Sequence, residues 1–258
     1  MFRSKTLIAV LILAVLVIAG CTMWTEEPEP RMAMFVGVDV SGSFMNGQHF
    51  DDALNFLGHY IYGHLNGLGG LDVPDMMFVG TIGGAKPSEP KTFYPIQTFQ
   101  DKSVEEIVSE LQNLFPKDNP NPFTDYNAFF EQVATTVKNK NLVLRPISIV
   151  MISDGMADAP DIKKNGKTHF DKITVRPLEK LSRSVTVRLL YTDAVVGKDW
   201  QTKVPRKRVK IWTQDADVCI SWKDPKILNP GAPLEEQDKF FEWVKDNIDF
   251  GVRGRRVG

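Results

Sequence analysis

The sequence predicts an α/β domain in which helices cover both faces of a doubly wound, mostly parallel central sheet. Three observations carry that expectation. Apolar runs of strand length recur along the chain, as in Met34 to Val40, Ile147 to Ser153 and Val185 to Tyr191. They are apolar almost without interruption, the pattern of strands buried on both faces. Stretches with helical spacing lie between them, which favours crossover connections over hairpins.

Met34 to Val40 is the first strand, compact and rich in valine. His49 to Leu65 follows as a helix with Phe50, Leu54, Leu57 and Ile61 on one face. Met76 to Ile82 is the second strand. Ser103 to Phe115 is a helix that turns Val104, Ile107, Val108, Leu111 and Phe115 inward, and Asp125 to Val137 is another. Ile147 to Ser153, Val185 to Tyr191 and Val209 to Thr213 supply further strands, and Leu234 to Ile248 closes the domain as a helix. Ala157 to Thr174 is polar and punctuated by glycine, so it is expected as a surface insertion. No internal repeat and no second domain is visible.

A chain of 258 residues, 43% hydrophobic and 24% charged, suffices for one well-filled core. The formal net charge of −1 gives no electrostatic footprint for nucleic acid. Two cysteines, Cys21 and Cys219, do not make a disulfide framework when one lies in a targeting segment. Cys219, beside Ile220 and Trp222, reads as a small buried hydrophobe.

That targeting segment is the chain's start. Arg3 and Lys5 precede an uncharged apolar stretch from Leu7 to Gly20. It is short for a bilayer span, which needs roughly 20 residues, and fits the core of a secretory signal. It ends in Ile18-Ala19-Gly20-Cys21, which resembles the lipobox of bacterial lipoproteins. The resemblance implies a signal peptide over 1–20, cleavage before Cys21, and acylation of Cys21 that holds the protein on a membrane of the bacterial cell envelope, the outer membrane in a Gram-negative host. Several acyl chains anchor firmly where one is marginal. Residues 21–32 read as a polar tether with Pro28 and Pro30, a domain occupies 33–250, and 251–258 form a basic tail with Arg253, Arg255 and Arg256.

The chemistry sits in three loops. Asp39-Val-Ser41-Gly-Ser43 follows the first strand, placing a carboxylate and two hydroxyls at alternate positions on the carboxyl edge of the sheet. Ligands bind at that edge in open parallel sheets. Oxygen groups so spaced suit a hard cation, although helix caps use the same residue types. Asn121-Pro122-Phe123-Thr124-Asp125-Tyr126 offers a loop hydroxyl before a helix, and Ser153-Asp154-Gly155 puts a second carboxylate at a strand end. Together these resemble the metal ion-dependent adhesion site of the von Willebrand factor A family, built from Asp-x-Ser-x-Ser, a loop Thr and a strand-end Asp. Asp39, Ser41, Ser43, Thr124 and Asp154 stand in the family's order.

The resemblance implies Mg²⁺, or Mn²⁺ or Ca²⁺, at these five residues, with Ser41, Ser43 and Thr124 in direct contact and Asp39 and Asp154 acting through water. It implies a membrane-anchored, metal-dependent protein-binding module whose partner offers a Glu or Asp to the ion, and no catalysis. A Mg²⁺-dependent phosphoryl-transfer enzyme and a structural scaffold of an envelope complex are the alternatives. The first lacks a nearby His, Lys or Arg in these loops. Other signals read as ordinary structure: Gly80 to Lys86 as a turn, His59 and His64 as core or surface groups, Lys203 to Lys210 as protection of a sheet edge, and Asp125 as a helix-start carboxylate.

Overall fold

The computed structural model describes residues 32–249 apart from 87, 182 and 183. The expected signal peptide, the expected lipidation at Cys21, most of the expected tether and the basic tail lie outside the described residues.

Six strands form the central sheet: β1 Met32–Val38, β2 Pro74–Thr81, β3 Phe93–Pro95, β4 Ile147–Ile152, β5 Val185–Thr192 and β6 Lys210–Asp215. Their spatial order is β6-β5-β4-β1-β2-β3, all parallel except β3, which runs antiparallel along β2. The chain steps from β1 to β2 on one side and later to β4 on the other. β1 and β4 thus flank the point where the winding reverses, the place where such sheets open a crevice beyond their carboxyl ends.

The helices are α1 Phe50–Leu65, α2 Val104–Leu114, α3 Tyr126–Asn139, α4 Ala194–Lys203 and α5 Asp238–Asn247. Alternation along β1 divides the core. Met34, Val36 and Val38 pack with α1, α2 and α5, while Ala33 and Phe35 pack with α3 and α4, among Phe129, Phe130 and Trp200. The doubly wound α/β architecture is as the sequence predicts. Local chemistry sets the helix starts. At α2 the Ser103 hydroxyl accepts from the Glu106 amide while Glu106 accepts from the Ser103 amide, and at α3 Asp125 accepts from the Ala128 amide.

Several expectations are corrected. The closing helix is not continuous. A single 3₁₀ turn at Leu234–Glu236 breaks at Gln237 before α5 begins, because the Gln237 amide reaches back to the Asn229 and Ala232 carbonyls. The 157–174 segment is not a free surface insertion. Ala157, Ala159 and Ile162 are buried beside α3, and only a hairpin, Lys163–Lys164 with Lys167–Thr168, stands out from it. α4 and the edge strand β3 were not foreseen. Lys210 opens β6, an edge strand, so the basic segment before it does border a sheet edge.

Candidate metal centre

The parallel register sets the carboxyl ends of β1 and β4 side by side, with Val38 opposite Ile152. Asp39 follows at once, and its amide donates to the Ile152 carbonyl at 2.9 Å. The next residues turn into a single helical turn, Gly42–Met45, with Ser41 at its start. The 121–125 loop is tied to this one, for the Asn121 amide donates to the Val40 carbonyl at 2.8 Å.

All five sequence-predicted residues meet here. Asp39 is wholly buried, and its Oδ1 accepts from the Ser41 amide at 2.9 Å and the Thr124 hydroxyl at 3.2 Å. The Ser41 and Ser43 hydroxyls stand 3.2 Å apart, and Ser43 donates to Asp154 Oδ2 at 3.2 Å. Two runs of oxygens, Thr124 to Asp39 and Ser41 through Ser43 to Asp154, are therefore joined by the Ser41 amide. The second Asp154 oxygen accepts from the Met156 amide at 2.9 Å, which fixes the carboxylate where Gly155, at φ 83, turns the chain.

Sequence reasoning missed the residues that hold this cluster in place. Ser153 donates to Asp39 Oδ2 at 2.5 Å and accepts from the Gly155 amide at 3.0 Å. Its only proton being given to Asp39, Ser153 must accept from the Tyr126 hydroxyl at 2.6 Å. Trp200 lies edge-on to Tyr126 at 4.7 Å and donates to the Gly155 carbonyl at 2.8 Å. Gly83 and Gly84, read as part of a plain turn, pair with Thr124 and Phe123. A β-carbon at Gly83 would stand 2.4 Å from the Phe123 carbonyl oxygen, so only glycine lets this brace approach. On the other side the Asp158 and Ala159 amides both donate to the Thr124 carbonyl. Thr124 is thus clamped from both directions.

The electrostatics of the cluster are unbalanced. Burial, and then the charge of Asp154, raise the Asp39 carboxyl to about 6, although hydrogen bonds from Ser153 and Ser41 oppose the shift. Burial likewise pushes Asp154 up. Burial and the nearby carboxylates push the Tyr126 phenol well above its ordinary range, so it remains a donor. Among the described residues neither Asp39 nor Asp154 makes an ion pair. A cleft of about 500 Å³ opens over the site, lined by Ser41, Ser43, Asn121, Asp154, Met156 and Lys163 among others. Lys163 is a basic group the loop sequences did not announce, and it pairs with Asp158 at 2.5 Å.

A divalent cation fits these residues on two counts. Every donor is oxygen, as hard cations require, and the buried Asp39 and half-buried Asp154 carboxylates share one small volume with no ion pair to either among the described residues. Among the described residues no group of three or more His, Cys, Asp or Glu side chains gathers to hold a metal, and this cluster combines two carboxylates with three hydroxyls instead.

No protein-family model matches the chain, and no curated protein sequence matches it. Solved structures align with it at low identity. The pilus adhesin SpaC from Lactobacillus rhamnosus GG is 11% identical with a TM-score of 0.48, over 86% of this chain and 31% of that one. Proximal thread matrix protein 1 from the mussel byssus is 11% identical with a TM-score of 0.45, over 74% and 45% respectively. The VWA domain of SpRpn10 is 13% identical with a TM-score of 0.40, over 76% and 96%. The chain spans less than half the length of the adhesin and of the byssus protein.

Proposed function

We propose that this chain is a divalent-metal-dependent protein-binding module of the von Willebrand factor A type, carried on a lipid anchor at Cys21 in a bacterial envelope. The observation that supports it is the convergence of Asp39, Ser41, Ser43, Thr124 and Asp154 from three loops into one hydrogen-bonded oxygen cluster. When bound, Mg²⁺ or Mn²⁺ supplies a Lewis-acidic position open to a carboxylate from a partner. The protein's part is to hold the hydroxyls of Ser41, Ser43 and Thr124 toward that position while Asp39 and Asp154 balance its charge from behind. Hydroxyl donors leave the ion more of its charge than direct carboxylates would, and so favour an incoming Glu or Asp. Ser43 and Asp154 lie at the cleft, whereas Asp39 and Thr124 are sealed beneath it.

Binding rather than turnover is the reading favoured by the cleft's chemistry, since its basic residue, Lys163, is already engaged by Asp158. Calorimetric titration with Mn²⁺ tests the metal site. Wild type is expected to bind at one site and Thr124→Ala to bind at least tenfold more weakly, while far-ultraviolet dichroism stays unchanged. Equal affinity in the two would refute the site. Phosphatase turnover with Mg²⁺ that disappears in Asp39→Ala would replace the binding module with an enzyme.

A further inference from the structure

The end of the sheet opposite the metal loops presents Leu144 to solvent with 95% of its surface exposed. It lies in the turn from α3 to β4, and the residues beside it are held. Leu142 is buried, Asn141 takes φ 57, Arg145 pairs with Asp75 at 2.5 Å, and the Pro146 carbonyl accepts from the Ala33 amide at 3.0 Å. Leu144 therefore projects from an ordered turn.

Basic residues surround the same end. α3 and α4 run back from the metal edge, so their last turns share this end with the first residues of β4, β5 and β6. The register pairs Ala33 with Ile147, Ile147 with Val185, and Thr186 with Lys210. Lys138, Lys140, Lys180, Lys207, Arg208 and Lys210 are all exposed here. Of the acidic groups at this end, Asp75 holds Arg145 and Glu179 accepts from the Lys207 and Arg208 amides, while Asp72 and Asp246 are exposed toward β2 and the closing helix. The cationic excess lies on the side of β4, β5 and β6, beside the apolar tip.

We propose that this end is a membrane-contact surface, with Leu144 entering the boundary between headgroups and acyl chains of an anionic bilayer while the surrounding cations meet lipid phosphates. β1 begins at Met32 at this end, eleven positions after Cys21 (32 − 21). A chain arriving from that cysteine spans at most roughly 40 Å, so the inference rests on the lipid-anchor reading for its geometry. A lone exposed leucine is ordinary. An apolar tip flanked by cations, at the end where β1 begins, is the combination that peripheral membrane contacts use. With the metal cleft at the opposite end of the strands, docking this way leaves the cleft facing outward. Each basic residue near anionic lipid favours contact by an amount such that losing three lowers the docked population about a hundredfold.

The test places an environment-sensitive fluorophore at Leu144→Cys in the full chain, Cys219 being buried. The chain is mixed with vesicles of phosphatidylcholine alone or with phosphatidylglycerol added, and flotation is read beside emission. Flotation with both vesicles, with emission shifting to the blue only on the anionic ones, is expected. Lys180→Glu, Lys207→Glu and Lys210→Glu together should abolish that shift without changing flotation. If the chain floats with both but the probe stays in water, the contact surface is wrong and the anchor stands. If it floats and shifts only on anionic vesicles, the surface stands and the anchor falls. Flotation with neither overturns both.

Discussion

Asp39→Asn should stabilise the metal-free protein at neutral pH, an unusual outcome for a change in a functional core. The Asp39 carboxyl titrates at about 6 in the fold against 3.8 as the ordinary value, because burial and Asp154 disfavour its charge. The folded state therefore holds this proton more tightly than the unfolded chain. Stability is greatest when Asp39 is protonated and declines as pH rises from about 4 through 6. The difference amounts to about 3 kcal/mol above that window. Asparagine mimics the neutral form. Its amide must face Ser153, whose oxygen already accepts from Gly155 and Tyr126, so one hydrogen bond is lost at about 1 kcal/mol. The net gain is about 2 kcal/mol near pH 7.5, or roughly 4–8 °C in Tm for a domain of this size. Near pH 4.5 the relief falls to about 1 kcal/mol, and the variant and wild type should converge. Urea unfolding in EDTA at the two pH values measures both differences. A variant less stable than wild type at pH 7.5, or a gap that ignores pH, would refute the electrostatic account of the site. Added Mn²⁺ should reverse the order, since it stabilises only the protein that retains the carboxylate.

Three further outcomes are expected. Gly83→Ala should cost about 1–3 kcal/mol and weaken Mn²⁺ binding, as its β-carbon displaces the strand that carries Thr124, by urea unfolding and calorimetry. Cys219 is buried and its thiol is pushed up to about 12 by that burial, so an aromatic disulfide reagent should label it orders of magnitude faster in urea than in the native state. Burial would raise the Asp249 carboxyl, but the hydrogen bond and charge of His64, the charge of Arg188 and the hydrogen bond from Tyr60 outweigh it and hold it below the usual range. Its stabilising contribution is therefore present above the unfolded carboxyl pKa and fades as pH falls below it. Asp249→Ala should cost about 3 kcal/mol at pH 7 by urea unfolding, because Arg188 and His64 lose a shared partner.

The parts of this molecule legible in the sequence are those written in local pattern. β1, β4 and β5 announce themselves through largely apolar runs, interrupted by Ser148 in β4 and by Thr186 and Arg188 in β5, and α1, α2 and α3 through one apolar face apiece, with Ser103 and Asp125 marking starts. Asp39, Ser41 and Ser43 lie close in sequence, so their convergence needs only a turn after a strand. Thr124 and Asp154 were legible by resemblance and by position beside a helix start and a strand end. What stayed hidden depends on contacts between distant segments. Ser153 and Tyr126 are ordinary residues until the fold sets them 2.6 Å apart. Gly83 looks like any turn glycine until Phe123 and Thr124 pair with it. α4 escaped notice because its apolar residues do not form a strong face, and only Gly197 and Trp200 of it are buried. The 157–174 segment misled for the opposite reason. Its polar composition is real, yet five small or apolar residues, Ala157, Ala159, Ile162, Phe170 and Ile173, pin it to the core, and two of its amides donate to Thr124.

The donors chosen to hold Asp39 explain how one cluster can be buried and still receptive. Had an arginine or lysine faced this carboxylate, its charge would be satisfied permanently, and a cation would have to displace a partner fixed by covalent connectivity. Here Asp39 is held by an amide and the hydroxyls of Thr124 and Ser153, which orient the group without neutralising it. Hydroxyls can also turn, because Ser41, Ser43 and Thr124 each carry a proton that rotates away and a lone pair that can then face an ion. Replacing Ser153 by alanine is therefore expected to leave all five candidate ligands in place yet weaken Mn²⁺ binding about 10- to 100-fold, the usual cost of losing a group that orients a metal-site carboxylate. Ser153→Thr, which keeps the hydroxyl, should restore it. If alanine and threonine bind Mn²⁺ equally well, the orientation of Asp39 does not depend on this relay, and rigid loops alone must account for the site.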